Sequence, residues 1–270
     1  MHDQDTRALA SVLVKVAREA GRAIMAHYRA PIAIELKSDA SPVTAADREA
    51  EAIILEGLSK AAPGILVIAE EAMAATGLSA LPSPLPDVFF LVDPLDGTKE
   101  FINARDEFTV NIALIERGAP VFGLVYAPAL SVLYVTTGTG TASELRFDPA
   151  APEREPNARP IRARLADTAA LSVVASHSHM NTETKGYIDQ YKVSELKNAG
   201  SSLKFCLLAC GEADLYPRLG PTMEWDTAAG HAVLAAAGGT VSELDGRPLR
   251  YGNTGRRFLN PCFVAWGRRV

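Results

Sequence analysis

The chain has 270 residues, 48% of them hydrophobic and 22% charged, which is ordinary for a globular enzyme that buries a large core. Its net charge of −5 disfavours a general nucleic-acid-binding surface, so an anionic ligand must meet local cations or metal ions. The N-terminus lacks the basic start and apolar core of a signal peptide, and no apolar run approaches membrane-spanning length, so we expect a cytoplasmic protein.

The first half of the chain is predicted to contain two long helices and an antiparallel-rich sheet. Apolar residues at helical spacing predict a helix over residues 6–29, after which Ile32, Ile34 and Leu36 alternate as in a short strand. The polar segment 41–47 leads into a second predicted helix that ends at Leu58. Apolar runs predict further strands at 65–69, 88–93, 109–115, 121–126 and 132–136. Hairpin-length connections between the last three favour antiparallel pairing.

A proline-rich stretch at 148–165 marks a predicted domain boundary. We expect an N-terminal α+β domain over 1–150, with most of the candidate metal ligands, and a C-terminal α/β domain over 151–270. The second domain is predicted to hold strands at 171–175 and 193–196 and helices near 181–191, 201–210 and 226–237. The odd set of Cys206, Cys210 and Cys262 lacks zinc-type spacing and indicates buried free thiols.

The most informative motif is the segment Asp93-Pro-Leu-Asp96-Gly-Thr98 after an apolar run. The proline favours an extended Asp93, the glycine allows a tight turn, and Thr98 can cap a following helix. Carboxylates suit hard divalent cations, and a helix N-terminus suits phosphate oxygens. The loop therefore indicates metal-assisted chemistry on a phosphate ester, although taken alone it also fits an ordinary turn.

Four acidic groups stand at the ends or starts of predicted elements: Asp47, Glu70 with Glu71, Asp93 with Asp96, and Asp226. Each has a structural interpretation too, because Asp47 suits a helix start, Glu70 a solvated strand end, and Asp226 a helix cap. If they converge, the carboxylates repel one another and raise one another's pKa values. Since Mg²⁺ takes one or two carboxylates together with waters and a substrate oxygen, four to six acids suit two or three ions.

The motifs occur in an order that resembles the inositol monophosphatase-like family of Mg²⁺-dependent, lithium-sensitive phosphatases. The matching segments are Ser41-x-x-Thr44-x-x-Asp47, Ala69-Glu70-Glu71, Asp93 to Thr98, and Trp225-Asp226-Thr-Ala-Ala-Gly230. The resemblance implies a layered α-β-α-β-α sandwich, α+β and α/β in character, with an antiparallel-rich N-terminal sheet and a smaller C-terminal α/β sheet. Within the family the chain looks most like the CysQ-type 3'(2'),5'-bisphosphate nucleotidases, on Lys99-Glu-Phe101, Gly200 to Phe205 and Tyr216 to Asp226.

By this resemblance, two or three Mg²⁺ ions are bound by carboxylates and one backbone carbonyl. Glu70, Asp93 and the carbonyl of Leu95 are expected to hold the first ion, and Asp93, Asp96 and Asp226 the second. Thr98 and Asp47 are expected to orient the attacking water and accept its proton. Glu71 either orients a water near the metal or faces solvent.

The substrate implied by the resemblance is adenosine 3',5'-bisphosphate, a by-product of sulfate assimilation. The backbone N–H groups of Gly97 and Thr98 are expected to hold phosphate oxygens. Lys204 and Arg218 are candidates for the 5'-phosphate, unless both are solvated surface residues. The remaining candidate contacts are Ser201 and His179. The family arginine near this histidine is replaced by His177, which puts affinity for the second phosphate in doubt.

Two rival functions remain open on the sequence. One is an inositol or sugar monophosphatase of the same fold, and the other is a non-catalytic nucleotide- or metal-binding regulatory protein. The sulfated nucleotide is a further candidate substrate. We expect no nucleic-acid partner and no stable membrane insertion, a monomer rather than a homodimer, and cytoplasmic location, with peripheral contact at a bacterial inner membrane left open.

Overall fold

A computed structural model describes residues 3–29, 35–36, 42–151, 153–176 and 180–269. Within these residues the α-helices are α1 (Asp3–His27), α2 (Ala45–Ala61), α3 (Glu70–Thr76), α4 (Thr98–Ile102), α5 (Thr182–Ile188), α6 (Leu203–Ala209) and α7 (Glu224–Ala236). The strands of the first half are β1 (Glu35–Leu36), β2 (Pro42–Val43), β3 (Leu66–Ala69), β4 (Val88–Asp96), β5 (Thr109–Glu116), β6 (Ala119–Ala127), β7 (Val132–Gly138) and β8 (Thr141–Arg146). Those of the second half are β9 (Asn157–Ile161), β10 (Leu171–Ala175), β11 (Val193–Asn198), β12 (Leu215–Arg218), β13 (Thr240–Glu243) and β14 (Phe263–Trp266).

The larger sheet has seven strands in chain order, β3-β4-β5-β6-β7-β8-β9. β3 runs parallel to β4, and every later pair is antiparallel, so the sheet is antiparallel-rich as predicted. The short hairpin of β1 and β2 lies outside it. Of the strand predicted from Ile32, Ile34 and Leu36, only the last residue falls within the described part of the chain, in β1.

The smaller sheet has five strands in the order β11-β10-β12-β14-β13. β10 pairs in parallel with both β11 and β12, whereas β14 pairs antiparallel with β12 and β13. The proline-rich stretch lies largely between β8 and β9, which are both strands of the larger sheet. The chain therefore passes to the smaller sheet after Ile161 and not near residue 150. The assignment of 1–150 and 151–270 to separate domains stays a prediction.

Both faces of the larger sheet are buried, because strand side chains alternate between two cores. Phe90 and Val92 of β4 pack with α1 and α2, whereas Phe89 and Leu91 belong to the core that contains α6 and α7. Beyond the smaller sheet, Ile188 of α5 packs on its outer face. The layers are thus α1 and α2, the larger sheet, α6 and α7, the smaller sheet, and α5. This is the predicted α-β-α-β-α sandwich.

Gly123 of β6 lets α7 approach the larger sheet closely. A Cβ at this position would lie 2.2 Å from the backbone oxygen of Ala229 in α7, so a larger residue would push the helix away. This contact matters because α7 begins beside the acidic residues at the edge of the larger sheet. Among the described residues, none of the helices combines the length and apolar character that a membrane crossing requires.

Candidate active site

Carboxylates from three separate parts of the chain meet at one edge of the larger sheet. Glu70 directly follows β3, Asp93 lies near the end of β4, and Asp226 lies in the first turn of α7. One carboxylate oxygen from each of the three lies within 4.8 Å of the other two. Because β3 and β4 are parallel neighbours, they deliver Glu70 and Asp93 to the same edge. The structure thus brings these three predicted ligands together.

The acidic cluster, which we define as Glu70, Asp93, Asp96 and Asp226, carries strong internal repulsion. Burial and the neighbouring charges, that of Glu70 first, raise the pKa of Asp93 well above 3.8. Burial and the charge of Asp226 raise the pKa of Asp96 from 3.8 to about 8, although Lys204 opposes this shift. Burial and the charge of Glu70 raise the pKa of Asp226 from 3.8 to about 6. Carboxylates in such surroundings are stabilised in their charged form by a bound cation.

Asp47 and Thr98 lie together at the N-terminal ends of α2 and α4. The Thr98 hydroxyl oxygen is 3.3 Å from Asp47 Oδ1 and 3.2 Å from the backbone carbonyl oxygen of Leu95. Asp47 is buried, and its Oδ2 accepts hydrogen bonds from the backbone N–H and the hydroxyl of Thr44. One oxygen of the carboxylate therefore caps α2 while the other faces Thr98. The two residues predicted to orient the water, Thr98 and Asp47, are thus within hydrogen-bond distance of each other, and Thr98 also reaches the carbonyl of Leu95.

Asp226 has an equivalent position at the start of α7. Its Oδ2 accepts a hydrogen bond of 2.8 Å from the backbone N–H of Met223 and one of 2.9 Å from the hydroxyl of Thr222. The second oxygen of the carboxylate can be offered to the cluster. Helix cap and site residue were alternative interpretations of Asp47 and Asp226 from the sequence. The geometry allows both at once, because a carboxylate has two oxygens.

Glu51 is a buried acid beside the site that the sequence analysis missed. Its carboxylate accepts hydrogen bonds from the backbone N–H groups of Glu71, at 2.8 Å, and Ala72, at 2.9 Å, in the first turn of α3. Glu51 lies one helical turn after Asp47 on α2, so it fastens the turn that carries Glu70 to the helix that carries Asp47. In the sequence Glu51 resembles any other acid on a helix. Its position four residues after Asp47, which places both on the same face of α2, was the signal that could have identified it.

A cavity of 310 Å³ opens beside the acidic cluster. The residues that line it include Glu70, Asp96, Gly97, Thr98, Lys99 and Glu100, together with Ser176, Ser201, Lys204, Tyr216, Arg218, Met223, Asp226 and Leu259. The cavity volume lies at the lower end of the range of about 300 to 1,000 Å³ that is usual for small-molecule sites.

Lys204 lines this cavity and is buried, so it is not a solvated surface cation. Its ammonium donates hydrogen bonds to the backbone oxygens of Ser201, at 2.6 Å, and Ala199, at 3.3 Å, and lies 5.4 Å from the centre of the Tyr216 ring. Burial lowers the pKa of Lys204 to about 8, against the attraction of Asp96. An ammonium has three N–H donors, so one remains for a ligand beyond these two carbonyls.

Arg218 lines the cavity near Lys204 and is only partly exposed. Its Nη2 donates a hydrogen bond of 2.6 Å to the backbone oxygen of Pro221. Its Nε is buried and has no hydrogen-bond partner in the part of the chain that the structure describes. A buried donor without a partner is costly, so this N–H suits a ligand that accepts a hydrogen bond.

The other predicted substrate contacts have mixed outcomes. Ser201 lines the cavity, but its hydroxyl donates to the backbone oxygens of Asp96 and Glu107. Gly97, with a φ of 93°, also lines the cavity. Glu71 lines a different cavity, of 490 Å³, next to Arg48 and Glu51. His179 and the replaced arginine position, His177, lie outside the described residues.

Comparison with known proteins gives a family match over almost the whole chain. The model of the inositol monophosphatase family matches residues 5–261. The 3'(2'),5'-bisphosphate nucleotidase CysQ of Shigella flexneri is 45% identical over 251 residues, which cover 92% of this chain and 96% of that protein. The counterpart from Escherichia coli strain K12, of the same name, is 44% identical over the same shares of the two chains.

Solved structures of similar proteins extend over the same length. The crystal structure of CysQ from Bacteroides thetaiotaomicron, a bacterial member of the inositol monophosphatase family, matches with a TM-score of 0.76 and 36% identity over 98% of each chain. An inositol monophosphatase from Zymomonas mobilis matches with a TM-score of 0.74 and 26% identity, over 96% of this chain and 92% of that one. The layered sandwich is thus the fold of proteins that match this chain over most of its length.

Proposed function

Because the chain belongs to the inositol monophosphatase family, we propose that it is a 3'(2'),5'-bisphosphate nucleotidase with the phosphatase site described above. The proposed reaction is hydrolysis of the 3'-phosphate of adenosine 3',5'-bisphosphate to AMP and phosphate, with the sulfated nucleotide as a second substrate. The observation that carries this proposal is that residues of the acidic cluster and two cations, Lys204 and Arg218, line the same cavity. The names of relatives at 45% and 44% identity support the same substrate.

The donor set fits Mg²⁺ in both chemistry and charge. The acidic cluster offers only carboxylate oxygens, which are ligands that hard divalent cations prefer. Glu70, Asp93 and Asp226 are held close together, and after burial and the charge of Glu70, the charge of Asp96 contributes to the raised pKa of Asp93. We propose that Glu70, Asp93 and the Leu95 carbonyl hold one ion and that Asp93, Asp96 and Asp226 hold a second. When bound, Mg²⁺ supplies positive charge that acidifies a water and stabilises the departing oxygen.

Thr98 and Asp47 are proposed to handle the proton of the attacking water. The Thr98 hydroxyl is a poor base by itself, and the carboxylate of Asp47 behind it gives the proton a place to go. The Asp47 carboxylate is buried and held by both donors of Thr44, so its orientation toward Thr98 is fixed before substrate arrives. Gly97 and Thr98 are proposed to bind the transferred phosphate through their backbone N–H groups.

The second phosphate of the nucleotide is proposed to meet Lys204 and Arg218. Lys204 has a third donor beyond its two carbonyl partners, and Arg218 has a buried Nε without a partner among the described residues. Both groups are preorganised, since each is already fixed by a backbone carbonyl. An inositol monophosphate has no second phosphate for them, and this is why we prefer the nucleotide.

A substrate panel with and without Mg²⁺ tests the proposal. We expect Mg²⁺-dependent phosphate release from adenosine 3',5'-bisphosphate with a kcat/KM at least about tenfold above that for adenosine 3'-phosphate, because the latter lacks the 5'-phosphate and loses one charge-assisted contact. Arg218→Ala should reduce that preference, whereas Arg247→Ala, at an exposed arginine paired with Asp245, should leave it unchanged. A preference of about a hundredfold for inositol 1-phosphate would make the chain a monophosphatase, and the absence of any turnover would favour a binding protein.

A further inference from the structure

The turn at Gly200-Ser201-Ser202 contacts two residues of the acidic cluster through adjacent hydroxyls. The Ser201 hydroxyl oxygen lies 2.8 Å from the backbone oxygen of Asp96 and 3.0 Å from that of Glu107. The Ser202 hydroxyl donates to the backbone oxygen of Asp226 at 2.6 Å. Asp96 ends β4 of the larger sheet and Asp226 lies on α7, so one dipeptide joins cluster residues from two layers.

Two glycines allow this turn to lie against the loop of Asp96. A Cβ on Gly97 would lie 2.4 Å from Ser201 Oγ, and a Cβ on Gly200 would lie 2.5 Å from the backbone oxygen of Glu107. Both distances are too short for a side chain. Gly97 therefore makes room for the Ser201 hydroxyl, and Gly200 lies directly against the backbone of Glu107. The carboxylate of Glu107 also accepts a hydrogen bond of 3.0 Å from the backbone N–H of Gly200. The turn and the segment of Glu107 therefore each supply a hydrogen-bond donor or acceptor to the contact between them.

Ser201 holds an uncommon backbone conformation for a residue with a side chain. Its φ of 47° lies in the left-handed region, and its carbonyl is bound by the buried Lys204 ammonium at 2.6 Å. Such strain persists only where the surroundings fix it, and it occurs often at functional sites. Ser202 is 1% exposed and does not line the cavity, so it can act on a ligand only through other residues.

We propose that Ser201 and Ser202 are positioning residues that hold the main chains of Asp96 and Asp226 at a fixed separation, so that both carboxylates can ligate the same Mg²⁺ ion. The inference rests on the proposed function. Without these hydroxyls, the two mutually repelling carboxylates are free to move apart, and their preorganisation for a cation is lost. Ser201 thereby has a role distinct from the substrate contact expected from the sequence.

The test compares Ser202→Ala and Ser201→Gly with Ser172→Ala. Ser172 is a matched control, because it is also a buried serine, its hydroxyl bonds Glu195, and it lies on β10 away from the cluster. Ser201→Gly removes a hydroxyl but suits the φ of 47°, so its stability without metal should equal or exceed that of the parent. Mg²⁺ affinity is measured by calorimetry without substrate, and unfolding is measured in chelator.

We expect Ser202→Ala and Ser201→Gly each to weaken Mg²⁺ binding by about three- to tenfold, the equivalent of one hydrogen bond, and the control to leave it unchanged. At saturating Mg²⁺ the KM for the bisphosphate should stay within about twofold of the parent, since neither hydroxyl is assigned to the substrate. Unaltered Mg²⁺ affinity in both variants, with a parent that binds the ion, would overturn this inference alone. A parent that binds no Mg²⁺ would overturn the proposed function and this inference together.

Discussion

Glu144 and Asp214 differ from the acidic cluster in how the charge of their carboxylates is balanced. Glu144 on β8 is completely buried, yet its carboxylate is paired with Arg146 and with Arg159, the latter at 2.6 Å. Burial alone would raise its pKa, but the hydrogen bonds from the two arginines outweigh that effect and the pKa is lowered. Asp214 is likewise buried, and Arg164, in two hydrogen bonds of 2.7 Å, holds its pKa below the usual value.

Asp93, Asp96 and Asp226 of the acidic cluster have no equivalent arginine pairing among the described residues. Lys204 and Arg218 lie nearby and oppose the shifts, but the pKa values of Asp96 and Asp226 still reach about 8 and about 6. At Glu144 and Asp214 the fold supplies a guanidinium within the chain. Where several carboxylates lie together without one, bound protons or a bound cation can neutralise them, and the raised pKa values reflect the first of these. This difference separates a structural acid from a candidate metal ligand.

Asp96→Asn should have the largest effect on the cluster side. The change removes one negative charge and one anionic ligand while keeping the shape of the side chain. We expect turnover at saturating substrate to fall by at least about a hundredfold, with the fold retained. Phosphate release and circular dichroism measure the two parts of the prediction. Full activity in this variant would contradict the assignment of Asp96 as a ligand.

Replacing a carboxylate by its neutral amide should have opposite effects on stability at Glu144 and in the acidic cluster. Glu144→Gln leaves Arg146 and Arg159 without their carboxylate and should lower the free energy of unfolding by about 1 to 3 kcal/mol. Asp93→Asn removes repulsion in the cluster, so in chelator it should raise the free energy of unfolding. Denaturant titrations of both variants in chelator test the contrast, and destabilisation by both would remove the distinction between the regions.

The pH dependence of stability should also differ in sign. Asp96 has its pKa raised from 3.8 to about 8 in the folded protein, so the folded state binds more protons than the unfolded state in that window. The metal-free protein should therefore lose stability as pH rises from about 4 to about 8, and Mg²⁺ should abolish that loss. Glu144, with a lowered pKa, contributes stability that disappears as pH falls below its usual value of 4.5. The free energy of unfolding is measured across this pH range, once in chelator and once with Mg²⁺. Identical slopes against pH in the two conditions would show that the acidic cluster does not cause the loss of stability.

Cys210→Ala should have the smallest effect, on the Glu144 side. The thiol lies 3.6 Å from the Glu144 carboxylate and, because burial raises its pKa to about 12, it stays protonated and acts as a weak donor. Its removal should lower the free energy of unfolding by no more than about 1 kcal/mol and leave Mg²⁺ affinity and turnover unchanged. A large loss of turnover would show that the two regions are coupled.

The sequence predicted the position of an acidic residue well where that residue lies at the end of a strand or at the start of a helix. An apolar run followed by carboxylates predicted Glu70 and Asp93 at strand ends. Glu70 does follow β3 directly, whereas β4 continues past Asp93 to Asp96. Capping patterns predicted Asp47 and Asp226 at helix starts, where both lie. Those local signals are strong because they depend on a few neighbouring residues.

Features that depend on long-range contacts were not predicted. The hydrogen bonds of Ser201 and Ser202 and the cap formed by Glu51 all join segments far apart in the chain. The membership of β9 in the larger sheet was missed for the same reason, because prolines before it suggested a boundary while its pairing with β8 is tertiary. Only the resemblance to a family connected the separate acidic groups before the structure did.

The most direct test of the account is the number of protons released when Mg²⁺ binds to the metal-free protein. Calorimetric titration in two buffers of different ionisation enthalpy measures this number. Because the pKa of Asp96 is raised to about 8, binding at pH 7 should displace about one proton, and the part of the release that comes from Asp96 should decline as the pH rises above about 8. Binding of Mg²⁺ with no proton release at pH 7, or no binding at all, would contradict the claim that these buried carboxylates are the ligands.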